Sequence, residues 1–426
     1  MTERGNPINS PPPSPRPRVV IVGAGFGGLN AAVQLRKAPV EVVVIDRRNY
    51  HLFQPLLYQV ATGLLSPAQI ATPIRHILSR QKNASVLMER VIGIDRDRRE
   101  VVTDMSRVPF DYLIIATGAR HHYFGHESWE RIAPGLKKID EATEIRARIL
   151  TAFELAEAGD DDEQRRRLLT FAVIGAGPTG VEMAGAIAEL ARHAMTGDFR
   201  RIDPARARIL LIEAGDRVLT SFPPELSEKA MRQLERLGVE VMLRNAVTAC
   251  DEDGLTLSGG ERIACSSIVW AAGVMASPAA KWLGETTDRA GRVPIGPDLA
   301  LMDDPAIFVI GDTAAVTDAK GQVVPGVAPA AKQMGRYVAK VIRNRLAGRS
   351  TPAFVYRDWG NLATIGRKAA VADFGYIRLS GLLAWLAWSF AHIWFLIGFR
   401  NRLLVLVDWA WAYFTYDRGA RLITGR

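Results

Sequence analysis

Short, unbroken apolar runs, each stopped by glycine or by an acid, set the pattern of this chain. Arg18–Val22 is apolar after its first residue, with no alternation, and reads as a strand buried on both faces of a parallel sheet. A helical stretch over 29–36 and a second apolar run over 40–45 follow, the latter ending at Asp46. The same order returns later. A run over 169–174 leads into a helix through Leu190, and Arg208–Ile212 ends at Glu213. Three further runs, 113–118 (LIIATG), 268–273 (IVWAAG) and 307–312 (IFVIGD), read as buried strands ending in small-residue turns. Strands alternating with helices predict an α/β chain with parallel sheets.

The glycines turn this pattern into chemistry. Gly23, Gly25 and Gly28 are spaced GxGxxG between the first strand and its helix, and Gly175, Gly177 and Gly180 repeat that spacing. Strand, glycine turn, helix, strand, acid is the order of a dinucleotide-binding fold. The first glycine permits the tight turn, the second admits a pyrophosphate, and the third lets helix and strand pack closely. The helix N-terminus offers N–H groups to the phosphates. Asp46 and Glu213 would accept from a ribose; each could equally be a solvated strand-end acid. Glu213 lies 33 residues beyond Gly180, more than the usual offset of about 20, and the stretch 193–208 reads as the insertion responsible. A carboxylate there favours NAD(H) over NADP(H), tempered by nearby Arg217. Two fingerprints imply two dinucleotides, FAD in the first and NAD(H) in the second. An acid just after Gly311, Asp312, suits ribityl hydroxyls.

Charge changes the picture at the C-terminus. Residues 343–426 carry twelve Lys and Arg against four Asp and Glu, a net +8 of the chain's total of +9, and six of its nine tryptophans. A basic, Trp-rich, apolar segment points to a membrane surface rather than to nucleic acid. The 21 residues between Arg378 and Arg400 hold no Asp, Glu, Lys or Arg. They leave open a pair of surface-lying helices, a true span or a buried dimer core. The proline-rich residues 1–17 are expected to be a disordered tail without the apolar core of a signal peptide, which places the catalytic body in the cytoplasm. Cys250 and Cys265, the only cysteines, exclude a disulfide framework and a cysteine-rich metal site, and no metal cluster is visible.

From Arg18 onward the chain resembles the two-dinucleotide-binding-domain flavoproteins, and within them the type II NADH dehydrogenases. The resemblance rests on both fingerprints, on residues 116–118 and 311–312, and on four more particular segments. These are 50–60 (YHLFQPLLYQV), Asp203 and Pro204 before 211–217 (LIEAGDR), 360–367 (GNLATIGR) and the aromatic tail. It implies two Rossmann-like domains plus a C-terminal membrane-binding helical region. The expected boundaries are 18–164 and 286–345 for the FAD domain, 165–285 for the NAD(H) domain, and 346–426 for membrane anchoring and dimerisation. It implies that Gly23, Gly25, Phe26, Gly28, Asp46, Arg47, Gln59, Val91, Ala116, Thr117, Gly118, Gly311 and Asp312 hold FAD, and that Gly175, Gly177, Pro178, Thr179, Gly180, Glu213, Ala272 and Gly273 hold NADH.

Glu182 then matches a carboxylate implicated in proton delivery to quinone; alternatively it is a first-turn acid complementing the helix dipole. The family's Ala-Gln-x-x-x-Gln quinone pattern becomes Ala328, Pro329, Ala330, Ala331, Lys332, Gln333 here, keeping the second glutamine only. Lys332 would stabilise a reduced quinone or flavin, or is a solvated lysine. The implied reaction passes hydride from NADH to FAD and two electrons to ubiquinone or menaquinone, without proton pumping. The enzyme would be a homodimer lying peripherally on the cytoplasmic face of the inner membrane. The two cysteines adjoin no flavin motif, which argues against dithiol or sulfide chemistry. The alternatives are an NADH-dependent reductase of a redox protein partner, or a membrane-bound NADH/FAD redox sensor.

Overall fold

A computed structural model describes residues 16–424. The tail expected over 1–17 lies outside the described residues except for Arg16 and Pro17. The strands that matter are β1 (Arg18–Val22), β2 (Glu41–Asp46), β3 (Ala84–Met88), β4 (Tyr112–Ile115), β5 (Thr170–Ile174), β6 (Arg208–Ile212), β7 (Val239–Met242), β8 (Ser267–Trp270), β9 (Ile307–Val309), β10 (Asn361–Gly366), β11 (Ala369–Asp373) and β12 (Arg378–Ser380). The helices are α1 (Phe26–Gln34), α2 (Leu57–Ala61), α3 (Ile139–Ala158), α4 (Pro178–Glu189), α5 (Ala328–Leu346), α6 (Leu382–Phe395) and α7 (Phe399–Thr415).

The chain forms two compact units. The first comprises residues up to Leu52, Thr72–Arg120 and Val274–Trp359. Its sheet runs β9-β4-β1-β2-β3, with all neighbours parallel. β1 is buried along its whole length, which is why its sequence shows apolar continuity instead of alternation. β2 lies on one side of β1 and β4 on the other, so the connections from β1 leave in opposite directions. That switch point, at the carboxyl ends of the strands, is where an open parallel sheet leaves a crevice.

The second unit comprises Phe53–Ala71, His121–Gly273 and Gly360–Arg426. Its parallel sheet runs β7-β6-β5-β8 and repeats the arrangement, with Ile174 paired to Ile212 on one side and Trp270 on the other. An antiparallel meander, β10-β11-β12, packs on α4. The contact is backbone to backbone: a Cβ added to Gly185 would sit 1.7 Å from the Ile365 carbonyl oxygen.

The apolar tail resolves into two short helices. Gly381 and Gly398, at φ +69° and +90°, stand immediately before α6 and α7. The 14 residues of α6 and 17 of α7 give lengths of about 21 and 26 Å, short of the ~30 Å hydrocarbon core. Among the described residues, no helix is long and apolar enough to cross a membrane. Each helix buries one stripe, Ala384 and Trp388 on α6 and Val405 on α7. Each exposes large apolar side chains elsewhere, Leu383, Phe390 and Trp394 on α6 and Phe399, Trp411 and Phe414 on α7.

Candidate active site

Two loops, one in each unit, have the same construction. Gly23 and Gly175 adopt φ +97° and +98°, a conformation that L side chains rarely take. A Cβ on Gly28 would lie 1.9 Å from Gly23 O, and one on Gly180 would lie 1.8 Å from Gly175 O. Helix and loop therefore touch through main chain in both units. A Cβ on Gly25 or Gly177 would meet nothing within 4 Å. Those positions face open space at a helix N-terminus, as a pyrophosphate cradle requires.

The two acids also act alike. Asp46 Oδ2 accepts from Ala24 N at 2.7 Å and Oδ1 from Arg48 N at 2.9 Å. Glu213 Oε2 accepts from Ala176 N at 2.7 Å and Oε1 from Gly215 N at 2.8 Å. Each carboxylate ties its glycine loop to the neighbouring strand end and keeps lone pairs for a ribose. Arg217 is held elsewhere, donating to the carbonyls of Phe222 and Thr220 at 2.8 and 2.9 Å.

The remaining expected residues fall as follows. In the first unit Phe26 opens α1, Arg47 is exposed, and Val91 is a buried residue beyond β3. Ala116, Thr117 and Gly118 follow β4, and Gly118 O accepts from Thr313 Oγ1 at 3.2 Å. Gly311 and Asp312 follow β9, with Gly311 at φ +70°. Pro329 sits in the first turn of α5, as its fixed φ suits. Lys332 lies 5.2 Å from the Phe26 ring centroid. Gln333 donates to Arg357 O at 2.8 Å and accepts from Arg357 N at 3.0 Å, so both ends of its amide clamp the chain below β10. In the second unit Pro178 and Thr179 begin α4. Ala272 and Gly273 follow β8, and Gly273 takes φ +80° beside the Phe124 ring. Gln59 belongs to this unit, where it is buried in α2 and accepts from Trp409 Nε1 at 2.7 Å while donating to Tyr58 Oη at 2.9 Å.

Tyr58 and Gln59 open onto a cavity of about 90 Å³ in the second unit. One wall is the face of α4 carrying Glu182, Ala186 and Glu189, a helical i, i+4, i+7 stripe. The end of β10 forms another, and Trp385, Trp388, Trp409, Tyr413 and Tyr416 enclose the rest. Glu182 keeps some accessible surface because it opens onto this cavity, but its carboxyl is surrounded by protein, and burial pushes it up to about 8. The Thr364 backbone and the Trp388 side chain oppose that rise. Tyr58 is raised well above the ordinary phenol value, first by burial and then by the charge of Glu182, so it stays protonated. His392, stacked on Trp388 at 4.1 Å, is lowered to about 4 by burial and remains neutral at pH 7.

The tail closes the cavity floor. Arg418, beyond α7, is buried and donates to Thr62 O and Ala186 O, both at 3.1 Å, and pairs with Glu189 at 3.3 Å. Glu189 also accepts from the Arg367 backbone N–H. The Arg367 guanidinium lies between two rings, 4.3 Å from Tyr413 and 4.2 Å from Tyr416. Its Nε and Nη1 are buried and have no hydrogen-bond partner, whereas the Trp388 indole N–H faces the Glu182 carboxyl. Leaving such groups unpaired costs roughly 1–3 kcal/mol each. Sequence reading missed Arg367, Trp388, Tyr58 and Arg418 as a group: Arg367, Tyr58 and Trp388 fall inside segments it singled out, and Arg418, which its place beside the apolar tail suggested for a lipid headgroup zone, is instead buried.

The cysteines stand apart. Both are buried, and burial raises each thiol to about 12, leaving neither a ready nucleophile. Among the described residues no group of three or more His, Cys, Asp or Glu is placed to hold a metal ion.

Residues 17–335 match the model of the pyridine nucleotide-disulphide oxidoreductase family, and 359–416 match that of the NDH2 C-terminal domain. The chain is 45% identical to the type II NADH:quinone oxidoreductase Ndh of Mycobacterium tuberculosis over all of its own length and 93% of that protein. It is 47% identical to NdhA of the same organism over 96% of itself and 90% of the relative. The Plasmodium falciparum NDH2 structure in complex with NADH shares the fold, at TM-score 0.87 and 21% identity, covering 95% of this chain and 99% of that one. The chain belongs to the pyridine nucleotide-disulphide oxidoreductase family and, within it, to the type II NADH:quinone oxidoreductases.

Proposed function

We propose the following division of labour for NADH:quinone reduction, whose net reaction converts NADH, a proton and quinone to NAD+ and quinol. The first unit holds FAD, with Gly23, Gly25, Gly28 and the α1 N-terminus at the pyrophosphate, Asp46 at the ribose, and Gly118, Gly311 and Asp312 toward the ribityl chain. The open space beside Gly25 and the acid tied to Ala24 suit that group. When bound, FAD supplies the two-electron relay between nicotinamide and quinone. The second unit holds NADH at Gly175, Gly177, Gly180 and Glu213. Replacing Gly177 with Val is expected to leave the fold intact, since a Cβ there meets nothing, while raising the NADH KM more than tenfold. Steady-state kinetics beside a thermal melt check it.

The observation that carries the quinone assignment is the cavity along α4. It joins a carboxyl protonated at neutral pH to an aromatic enclosure built by the helices that expose apolar side chains. Glu182 holds a proton for the quinone oxygen, and Tyr58, Gln59 and Trp409 form a hydrogen-bonded chain that keeps the wall in place. Anaerobic stopped-flow absorbance tests the whole reading. NADH is expected to bleach the flavoprotein, and a soluble quinone to restore its colour; failure of restoration counts against a quinone acceptor.

The exposed faces of α6 and α7 rest on a lipid surface, and a second copy of the chain is the expected protein partner. The triple substitution Phe390→Asp, Trp394→Asp and Phe414→Asp is expected to abolish flotation with anionic vesicles while preserving soluble-quinone turnover, since all three side chains are exposed. Deleting the tail would be a poorer test, because it also removes Trp388, Trp409 and Arg418 from the cavity.

A further inference from the structure

Beside the carboxyl end of β8 the chain carries a strained turn. Tyr123–His126 is closed by the His126 N–H on Tyr123 O at 3.0 Å, and its central residues, Phe124 and Gly125, both take left-handed backbone, at φ +53° and +92°. Such a turn suits Asn or Gly at its first central position, and a bulky side chain there is strained. Burial does not offset that strain. Leu219 and Leu299 share the left-handed backbone, but both are fully buried. Phe124 is 60% exposed, while Tyr123 beside it enters the core with its hydroxyl on Ala133 O at 2.9 Å. The Trp270 indole N–H holds the base of the turn through His122 O at 3.1 Å. The fold would be more stable with a different residue at 124, and strained positions of this kind gather at ligand sites.

The place of the ring gives its role. A Cβ on Gly175, the first glycine of the second fingerprint, would stand 2.8 Å from Ala272 Cα, and one on Gly273 would stand 2.7 Å from the Phe124 ring. Phe124 is therefore two short steps from the pyrophosphate cradle, on the β8 side of β5. Glu213 follows β6, which lies on the other side of β5. A dinucleotide centred on the cradle, with its adenosine ribose at Glu213, runs its other half past Gly273. That half ends in nicotinamide, a flat ring that stacks on an aromatic face. We propose that Phe124 is a substrate-binding residue for the nicotinamide end of NADH, its exposed ring holding one face of the nicotinamide. This rests on the assignment of NADH to the second unit and adds a residue to it.

The arrangement has a chemical purpose. Hydride leaves nicotinamide C4 perpendicular to the ring plane, so one face of the ring must stay free. A nicotinamide with its other face on Phe124 meets that condition and is kept from turning over. Glu213 cannot impose this orientation, because it grips the far end of a flexible molecule. Gly273 completes the shelf: its φ of +80° and missing side chain let the Phe124 ring lie against main chain, and the His122 ring, 4.6 Å away, braces it.

The test uses the full-length flavoprotein in anaerobic stopped flow and in thermal melts. Phe124→Asn removes the ring and supplies a residue that the turn favours. It is expected to raise the melting temperature by about 2 °C. It is also expected to raise the apparent Kd for NADH in the bleaching step about fivefold, the scale of one lost aromatic stack. A purely structural ring would move neither quantity in that direction. Phe124→Tyr keeps the ring and should bind NADH within twofold of wild type. Reduced nicotinamide mononucleotide, which lacks the adenosine half, should show the same loss in Phe124→Asn. An NADH Kd within twofold of wild type in that variant overturns the proposal. So does a lower melting temperature or a failure to fold, which would make the ring a cap on the fold. A loss seen with NADH and absent with the mononucleotide would assign the ring to adenine and overturn it too. If Gly177→Val leaves bleaching by NADH unchanged, the underlying assignment of NADH to this unit fails instead.

Discussion

Glu182→Gln is expected to slow quinone reduction on the order of 100-fold at pH 6–7, the scale of a positioned general acid, and to converge on the wild-type rate above pH 8–9. The reason is the environment of the carboxyl. Burial pushes it up to about 8, so the wild-type side chain is mostly protonated at neutral pH and can give a proton to a quinone oxygen. As the pH rises through that value the wild type loses its acid. Gln carries no titratable proton, so its slower rate should be flat over the same range. Stopped-flow reoxidation by quinone from pH 6 to 9.5 separates the two curves; a variant that keeps the wild-type profile would place the acid elsewhere. Stability should move with the same group. A carboxyl raised in the folded state has its full stabilising effect below the unfolded value of 4.5, and loses it as pH rises toward about 8. The wild type should therefore lose thermal stability relative to Glu182→Gln between pH 5 and 8.

Arg418→Leu is expected to destabilise the second unit by about 3 kcal/mol, the cost of stranding one member of a buried ion pair. The guanidinium has three partners on two elements and 6% exposure. Its loss leaves the Glu189 carboxylate with the Arg367 backbone N–H and two carbonyls without their donor. Denaturant midpoints at constant m-value give the change. The double substitution Arg418→Leu with Glu189→Gln should recover part of the loss, because the uncompensated charge is gone. A single-variant change below 1 kcal/mol would mean that water reaches the site and solvates both partners.

The nucleotide cradles were legible because their constraints are local. A turn at φ near +98°, an open position two residues on, and main-chain contact three residues after that leave glycine as the residue that fits, and glycine spacing survives in the sequence. Even the long offset to Glu213 did not hide it, since the extra residues form a loop with short helical turns and the acid still reaches Ala176 N. The cavity was only half legible. Glu182 could be named from its place after a fingerprint. Arg418 could not, because it meets Glu189 across 229 residues of chain. Gln59 and Gln333 stood out as family positions, but where their amides bond depends on distant segments arriving beside them. In α6 the difficulty is different. Leu, Ala, Trp, Ile and Phe fill nearly every position, so no polar face marks which stripe is buried, and Trp388 looks no different from Trp394 until the packing separates them.

The contact between Gly185 and the Ile365 carbonyl has a bearing on substrate choice. Glu182 stands three residues before that contact on its helix, and Arg367 two residues after it, in the turn that follows its strand. With no side chain between helix and strand at that point, nothing there can repack, and the distance from the acid's helix to the strand before Arg367 is set by the main chain itself. One side of the pocket is therefore a fixed gauge. Adaptation to a bulkier or smaller headgroup must come from the opposite side, where the aromatic residues of α6 and α7 can change without moving the acid. Variants that accept different quinones should carry their substitutions in 382–416 and leave Gly185 untouched.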